Sequence, residues 1–389
     1  MRRAYKFRLF TNANQERELG IMLESHRRLY NTCLDQRKTT YQTEQRSVKY
    51  TEQSARFKEQ RSINPYFARL NFSSAQATMR RLDRAYQAFF RRVKAGDKPG
   101  YPRFKGRNRF DSIEFPAYGD GIRLNGNRLR VQHIGMIRVK VHRVVEGKIK
   151  TVTLKREADK WYVILSCDLG DVPVQPSTNP PIGIDMGLES FLTTSEGQSF
   201  PNPRYLKKEL PKLRVTGRAV ARKKKGGSNR RKAVRKLQRI HARVRNLRRE
   251  HHHQTTLALI LTYGLIALES LNIRGMLRNG RLARAIADAA WGGFVNILKG
   301  KAESAGVRIV EVDPRGTSQQ CSACGREVRK DLSVRWHDCP YCNLSLHRDH
   351  NAALNILARV RLVRTEPVGG NVGQQVMRLP RSRYVHVTE

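Results

Sequence analysis

Apolar and polar positions alternate at the start of the chain: Tyr5, Phe7 and Leu9 stand against Lys6 and Arg8, which predicts a strand with a basic outer face. The period then lengthens. After Asn14, the residues Leu19, Met22, Leu23, Leu29, Tyr30, Cys33 and Leu34 share one side of a helix. From about Ser73 to Ala95 a second stripe, Met79, Leu82, Tyr86, Phe89, Phe90 and Val93, predicts another helix that Ser73 or Ser74 can cap. Two-residue alternation returns between 112 and 169. A hairpin is expected around Asn125-Gly126, Ile137, Val139 and Val141 alternate with cations, and Val152 to Lys155 pairs with Trp161 to Cys167. With the first strand, these segments could close a small barrel. Four prolines between Asp171 and Pro181 mark a linker.

A different pattern follows the linker. In Pro181-Ile182-Gly183-Ile184-Asp185-Met186-Gly187 an acid ends a short apolar strand, and Phe191 to Thr194 reads as the next strand. A carboxylate there, followed by a glycine turn, is how an RNase H-like fold opens, although an Asp before a Gly is also a common turn former. The run Gly264 to Leu268 is almost wholly apolar and ends on Glu269, as a buried parallel strand would. A carboxylate so placed needs a partner, either one of the many arginines or a divalent cation. Ala352, Ala353, Ile356, Leu357 and Val360 have helical spacing with Asp349 at the entrance, where it can cap the helix or serve a metal. Together Asp185, Glu269 and Asp349 make a set of acids on two strands and a helix start. Phosphodiester hydrolysis by two metal ions about 3.5–4 Å apart needs such a set. Oxygen ligands favour Mg²⁺ or Mn²⁺ over Zn²⁺.

Composition narrows the partner. In 389 residues there are 76 Lys plus Arg against 33 Asp plus Glu, a formal net charge of +43. Such a chain repels itself unless a polyanion is bound, and each neutralised phosphate of a nucleic acid adds affinity. An anionic membrane surface is the competing partner. The longest apolar run, Thr256 to Leu268, is too short and mixed to span a bilayer, and the N-terminus lacks the apolar core of a signal peptide, so a cytoplasmic protein without a membrane partner is expected. The cations are not spread evenly. Residues 204–250 hold 20 Lys or Arg with only Glu209 and Glu250 as acids, while Val234, Leu237, Ile240, Val244 and Leu247 keep a helical stripe. This reads as a helix with one face on protein and a cationic face, including Lys223, Lys224, Lys225, Arg230, Arg231 and Lys232, toward nucleic acid. Gly226-Gly227-Ser228 is expected to break the segment. Between 98 and 109, Tyr101 and Phe104 alternate with Arg103 and Lys105, so that rings can stack on bases while cations hold phosphates. The plainer alternative is a basic surface loop with two anchoring aromatics.

Of six cysteines, Cys33 and Cys167 stand alone on apolar patterns and are expected to be buried thiols. The other four form the pairs Cys321-Cys324 and Cys339-Cys342, fourteen residues apart. Two Cys-x-x-Cys knuckles suit tetrahedral Zn²⁺; a redox pair is the alternative for either alone.

These pieces, with Thr317-Ser318-Gln319-Gln320-Cys321, Arg348-Asp349-His350-Asn351-Ala352-Ala353, Tyr5-Lys6-Phe7-Arg8-Leu9 and Tyr101-Pro102-Arg103-Phe104-Lys105, resemble the TnpB (OrfB) proteins of bacterial insertion sequences over nearly the whole chain up to about Thr365. The resemblance implies an α/β multidomain protein. Its parts would be an N-terminal wedge-like β-barrel (1–10 and 97–172), a helical recognition lobe (11–96), a RuvC-like, RNase H-like nuclease domain (181–318 and 344–365) with an inserted zinc ribbon (319–343), and a flexible tail (366–389). It implies an RNA-guided endonuclease, related to type V CRISPR effectors. Such a protein takes a guide RNA from the insertion-sequence end and cuts double-stranded DNA beside a short adjacent motif. Asp185, Glu269 and Asp349 would be its catalytic, Mg²⁺-binding acids, and Cys321, Cys324, Cys339 and Cys342 its Zn²⁺ ligands. Tyr5, Arg8, Tyr101, Arg103, Phe104, Lys105 and the basic helix would meet nucleic acid. A guided DNA-binding regulator without cleavage and a transposase accessory protein are the alternatives.

Overall fold

The structure, a computed structural model, describes residues 1–107, 109–171, 175–331 and 333–363; the tail expected at 366–389 lies outside them. The chain divides into two compact units, Met1–Pro173 with Lys208–Leu247, and Val174–Lys207 with the chain from Arg248. Each is described by itself.

In the first unit, β1 (Arg2–Phe10) leads into α1 (Ala13–Glu44), α2 (Tyr50–Ile63), α3 (Pro65–Ala68) and α4 (Phe72–Lys94). Then come β2 (Ser112–Phe115), β3 (Ile122–Asn125), β4 (Arg128–Val131), β5 (Gly135–Lys140), β6 (Lys148–Glu157) and β7 (Lys160–Asp168). The alternating segments become one antiparallel sheet in the order β2-β6-β7-β1-β5-β4-β3, with the expected hairpin at Asn125-Gly126. Among the described residues no ladder joins β2 to β3, so the sheet has two edges where a closed barrel was expected. The segment between them is nevertheless anchored: the Tyr118 N–H donates to Lys150 O, and its hydroxyl bonds the backbone of Leu124. Phe7, Leu9, Leu129, Ile137, Val163 and Leu165 share a core with Leu19, Leu29 and Met79 of the helices.

Two helix boundaries differ from expectation because an asparagine wins the cap. Asn12 accepts from the Gln15 N–H while the Gln15 side chain accepts from the Asn12 N–H, a reciprocal capping box that starts α1. Asn71, not Ser73 or Ser74, caps α4 by accepting from Ser74 N at 2.9 Å. The α4 stripe is also only half used: Met79 and Leu82 are buried, whereas Phe90 is 56% exposed. Cys33 and Cys167 are buried thiols, as expected.

The second unit carries β8 (Pro181–Asp185), β9 (Ser190–Thr194), β10 (Ser199–Pro201), β11 (Leu265–Glu269) and β12 (Arg308–Val312) in the order β10-β9-β8-β11-β12. The pairs β8–β9 and β9–β10 are antiparallel; β8–β11 and β11–β12 are parallel. The chain between β10 and β11 forms α5 (Tyr205–Ala221) and α6 (Ser228–Thr262), breaking at Gly226-Gly227 as expected. Between β11 and β12 lie α7 (Ile273–Met276), α8 (Ala283–Ala289) and α9 (Trp291–Ala305). The small hairpin β13 (Trp336–Asp338) and β14 (Ser345–His347) runs directly into α10 (Arg348–Val363). Among the described residues no helix is long and apolar enough to cross a membrane.

Ile182, Ile184, Phe191, Ile266 and Leu268 are fully buried with Trp291, Phe294 and Leu298 on one side of the sheet. On the other, α10 packs Ile356 and Val360 against Ala267 and Val312. Gly183 is the hinge of this second contact. A Cβ there would run into the Ala353 carbonyl and lie 2.9 Å from the Leu357 N, so only glycine lets the helix backbone lie on β8. Gly183→Ala should therefore force the helix off the strand and cost about 1–3 kcal/mol. Thermal denaturation would show this as a Tm lowered by about 3–10 °C.

Candidate functional site

The parallel register sets the acids. Ile184 lies opposite Leu268, and one step further along both strands stand Asp185 and Glu269, each the last residue of its strand. The C-terminal edge of a parallel sheet is where α/β proteins place reacting groups. Asp349 arrives from α10, which Gly183 allows against β8. It is the second residue of that helix, inside the first turn and not at its cap, and its side chain is buried at 7% exposure. The helix dipole favours a negative charge there.

Asp185 senses the other two carboxylates. Desolvation first, then the charges of Glu269 and Asp349, push the Asp185 carboxyl up to about 8; Arg348 and the Met186 N–H act in the opposite direction. Burial also raises Glu269, opposed by a hydrogen bond from Thr317 and by the Arg359 charge. Among the described residues neither Asp185 nor Glu269 has a Lys or Arg ion-pair partner, and within 4.0 Å the paired group recorded for Asp349 is His347. In a chain with 76 Lys plus Arg this is conspicuous. The alternative that Glu269 merely pairs with an arginine is not what the chain does. The donor set, three carboxylates without a Lys or Arg ion pair among the described residues, fits hard divalent cations. Among the described residues only the cysteine quartet gathers its ligand atoms within 4.8 Å of one another, so the acids are spread more widely.

Glu269 is held by a residue that periodicity could not single out. The Thr317 hydroxyl donates to Glu269 Oε1. Asn355 Nδ2, on α10, donates to Thr317 O at 2.8 Å and to Gln320 O at 2.6 Å. One turn earlier, Asn351 Nδ2 donates to Gln320 O at 2.7 Å while its Oδ1 accepts from Ser322 N at 2.9 Å. Two buried amides four residues apart on an otherwise apolar face were the available signal, and the sequence reading did not use it.

The same clamp leads into the cysteines. Cys321, Cys324, Cys339 and Cys342 form the quartet, with Cys321–Cys342 and Cys324–Cys339 Sγ separations of 3.6 Å. A tetrahedron with Zn–S bonds of about 2.3 Å has edges of about 3.8 Å. Each knuckle turns through a left-handed residue just after its second cysteine, Gly325 (φ 76°) and Asn343 (φ 56°). The four thiols could thus hold zinc.

The expected nucleic-acid contacts divide. Tyr5 is corrected: it is 2% exposed in the core, and its hydroxyl accepts from Glu146 N, so its ring is closed to bases. Arg230 lends a guanidinium N–H to Val220 O at 3.0 Å. Arg8, Arg103, Lys223, Lys224, Lys225, Arg231 and Lys232 are exposed; Lys105 is half-buried. Tyr101 and Phe104 are exposed, with the Tyr101 hydroxyl bonded to that of Tyr86 at 2.8 Å.

Two measurements follow. Purified protein should carry zinc stoichiometrically by elemental analysis, and Cys339→Ser should lose it together with thermal stability. The second concerns pH. A carboxyl raised from 3.8 to about 8 keeps, in the folded chain, a proton that the unfolded chain releases. Zinc-loaded protein without other divalent ions should therefore lose stability as pH rises from about 4 to about 8. Asp185→Asn should flatten that slope in melting curves taken across the range.

Comparison with known proteins meets this geometry. Family profiles match residues 164–280 ("Probable transposase", the OrfB family of IS605), 291–356 ("Cas12f1-like, TNB domain") and 1–46 ("Helix-turn-helix domain"). Despite the last description, the first 46 residues contain β1 and the single 32-residue helix α1. A "Putative RNA-guided DNA endonuclease" of Streptomyces pristinaespiralis is 33% identical over 92% of this chain and 89% of its own. The "Putative RNA-guided DNA endonuclease InsQ" of Escherichia coli (strain K12) is 28% identical over 91% of each. The CRISPR-associated endodeoxyribonuclease Cas12f1 of Sulfoacidibacillus thermotolerans is 23% identical over 74% of this chain and 77% of its own. With matches that run through both units and the cysteine quartet, the chain belongs to the TnpB (OrfB) family of insertion-sequence proteins, the family that includes these relatives named as RNA-guided endonucleases.

Proposed function

We propose that the chain is an RNA-guided DNA endonuclease of a transposable element. It cuts double-stranded DNA next to a short adjacent motif at a RuvC-like site made by Asp185, Glu269 and Asp349. The observation that carries this is the placing of three carboxylates, without a Lys or Arg ion pair among the described residues, at the C-terminal edge of a sheet ordered β10-β9-β8-β11-β12. Three antiparallel strands followed by two parallel ones is the order that an RNase H-like domain requires.

Two Mg²⁺ or Mn²⁺ ions bound there would supply an activated water on one side of the phosphodiester and charge stabilisation of the leaving oxygen on the other. Asp185, which feels the charges of Glu269 and Asp349, would help to hold the ions. Glu269 presents the oxygen that Thr317 leaves open. Asp349 is held by α10, whose position the Asn351 and Asn355 clamp fixes. The zinc ribbon is structural: it seats the segments on both sides of that clamp.

The nucleic acids would be read by charge and shape. Exposed Arg8, Arg103, Lys223, Lys224, Lys225, Arg231 and Lys232, with the Tyr101 and Phe104 rings, offer phosphate and base contacts to guide RNA and target DNA. We assign 1–10 and 97–172 to a wedge-like domain, 11–96 to a recognition lobe, 181–318 and 344–365 to the nuclease domain and 319–343 to the ribbon. The protein would act in the bacterial cytoplasm on nucleoid DNA.

The test is purification from cells that carry the flanking insertion-sequence DNA. Sequencing of bound RNA comes first, then plasmid cleavage with Mg²⁺. Bound RNA ending in a variable guide, with cutting of matching plasmid by the wild type and at least a thousandfold less by Asp185→Ala, is the expected result. Guided binding without wild-type cutting would make the protein a regulator, and absence of a discrete RNA would remove the guide.

A further inference from the structure

Resting on the reading of the three acids as a metal site, we infer that Thr317 is the positioning residue of Glu269 and couples it to the helix that bears Asp349. Thr317 lies outside the strands and helices that carry the acids, yet it is 3% exposed and touches two of those elements. Its hydroxyl donates to Glu269 Oε1 at the end of β11, and its carbonyl accepts from Asn355 of α10. The Pro314 carbonyl also lies 3.0 Å from Oγ1, but the single hydroxyl proton goes to the closer, charged acceptor.

A glutamate at a strand end has three side-chain torsions and no ladder beyond it. Left alone, its carboxylate could turn either oxygen inward. With Oε1 engaged by the hydroxyl, Oε2 is the oxygen free to face a cation. A β-branched threonine suits this task, because its stiff χ1 fixes where the hydroxyl points. The backbone of the same residue is pinned by a buried amide, and Asn355 reaches on to Gln320, the residue before Cys321. One residue therefore joins the second acid, the helix of the third acid and the approach to the first knuckle. Hydrogen-bond partners of ligating carboxylates are worth about ten- to a hundredfold in metal affinity.

The experiment uses full-length, zinc-loaded protein free of nucleic acid, titrated with Mn²⁺ and read by the electron paramagnetic resonance of the free ion. Wild type, Thr317→Val, Thr317→Ala, Thr317→Ser and Asp185→Ala are compared, with zinc content and melting curves for each. Thr317→Val and Thr317→Ala should weaken Mn²⁺ binding about ten- to a hundredfold. Thr317→Ser should restore it to within about fivefold of wild type, and zinc content should not change. In guided cleavage, the Mg²⁺ concentration for half-maximal rate should rise in step, with most of the rate recovered at saturating metal. Wild-type Mn²⁺ affinity in both Thr317→Val and Thr317→Ala, while Asp185→Ala abolishes binding, overturns the positioning role. So does a loss of folding common to Val, Ala and Ser, which marks Thr317 as structural. If Asp185→Ala also binds Mn²⁺ like wild type, the metal reading of the acids itself fails.

Discussion

Backbone contact between β8 and α10 at Gly183 is the constraint on which the acid site depends. Strand and helix are each ordinary. What is unusual is that the helix backbone, at Ala353 and Leu357, occupies the space where any other residue would place a side chain. That approach brings the first turn of α10 to the end of β8 and Asp349 to Asp185. The register of β8 on β11 then supplies the third acid without further geometry, since parallel strands end on the same edge. A chain with a larger residue at 183 could keep its sheet and its helix and still lose the site.

Around this contact the polar groups are arranged to be satisfied inside the protein. Asn351 and Asn355 are buried, and each amide bonds backbone groups of the loop from Thr317 to Ser322. Buried amides with their partners in place rigidify; the same amides without partners would be costly. The loop they hold is the one entering the first cysteine knuckle, and β14, leaving the second knuckle, continues into α10. The quartet thus closes a circuit through the helix. A ribbon with so little core of its own gains order from metal and from these bonds, which is the usual position of a small metal module.

Legibility in the sequence followed the strength of periodicity. Strand β1, helix α1, the first half of α4, the apolar runs of β8 and β11, and α10 each carry a pattern that burial then matched. Helix α2 was missed because it has no stripe. Its buried residues are Phe57 and Gln53, and it is held by polar bonds, Arg37 Nε to Gln53 Oε1 at 2.8 Å and Gln53 Nε2 to Cys33 O at 2.8 Å. Strand β12 and helix α9 were passed over; Arg308 to Val312 sets two apolar residues side by side and so lacks a two-residue alternation. The helix starts were misplaced by two or three residues because Asn and Ser compete for one role and only backbone geometry chooses. Tyr5 was placed with the nucleic-acid contacts because the pattern shows that a ring exists on a strand, while which face is covered depends on helices far along the chain. At the acid site, all three carboxylates and all four cysteines were readable as residue types at telling positions. Thr317 and the two asparagines were not, because a positioning residue has no chemistry of its own to advertise.

The distribution of charge separates the two roles that the molecule has to combine. Many acids of the first unit are neutralised by nearby cations, as in Asp159 with Arg239, Glu157 with Arg245 and Lys6, and Glu24 with Arg27. These pairs trim a surplus of positive charge without removing it, and exposed Lys223 to Lys225 keep theirs. In the second unit Asp288 is also spoken for, by Arg248 and by the Leu206 and Lys207 N–H groups at the start of α5. Asp185 and Glu269 stand apart from this economy. Folding has brought them together at the expense of mutual repulsion and desolvation; Arg348 and Arg359 act on them by charge, but among the described residues neither acid forms a Lys or Arg ion pair. A protein selected for stability alone would have paired or replaced them. Under the proposed function, a dication would be attracted by the same charges that destabilise the metal-free fold.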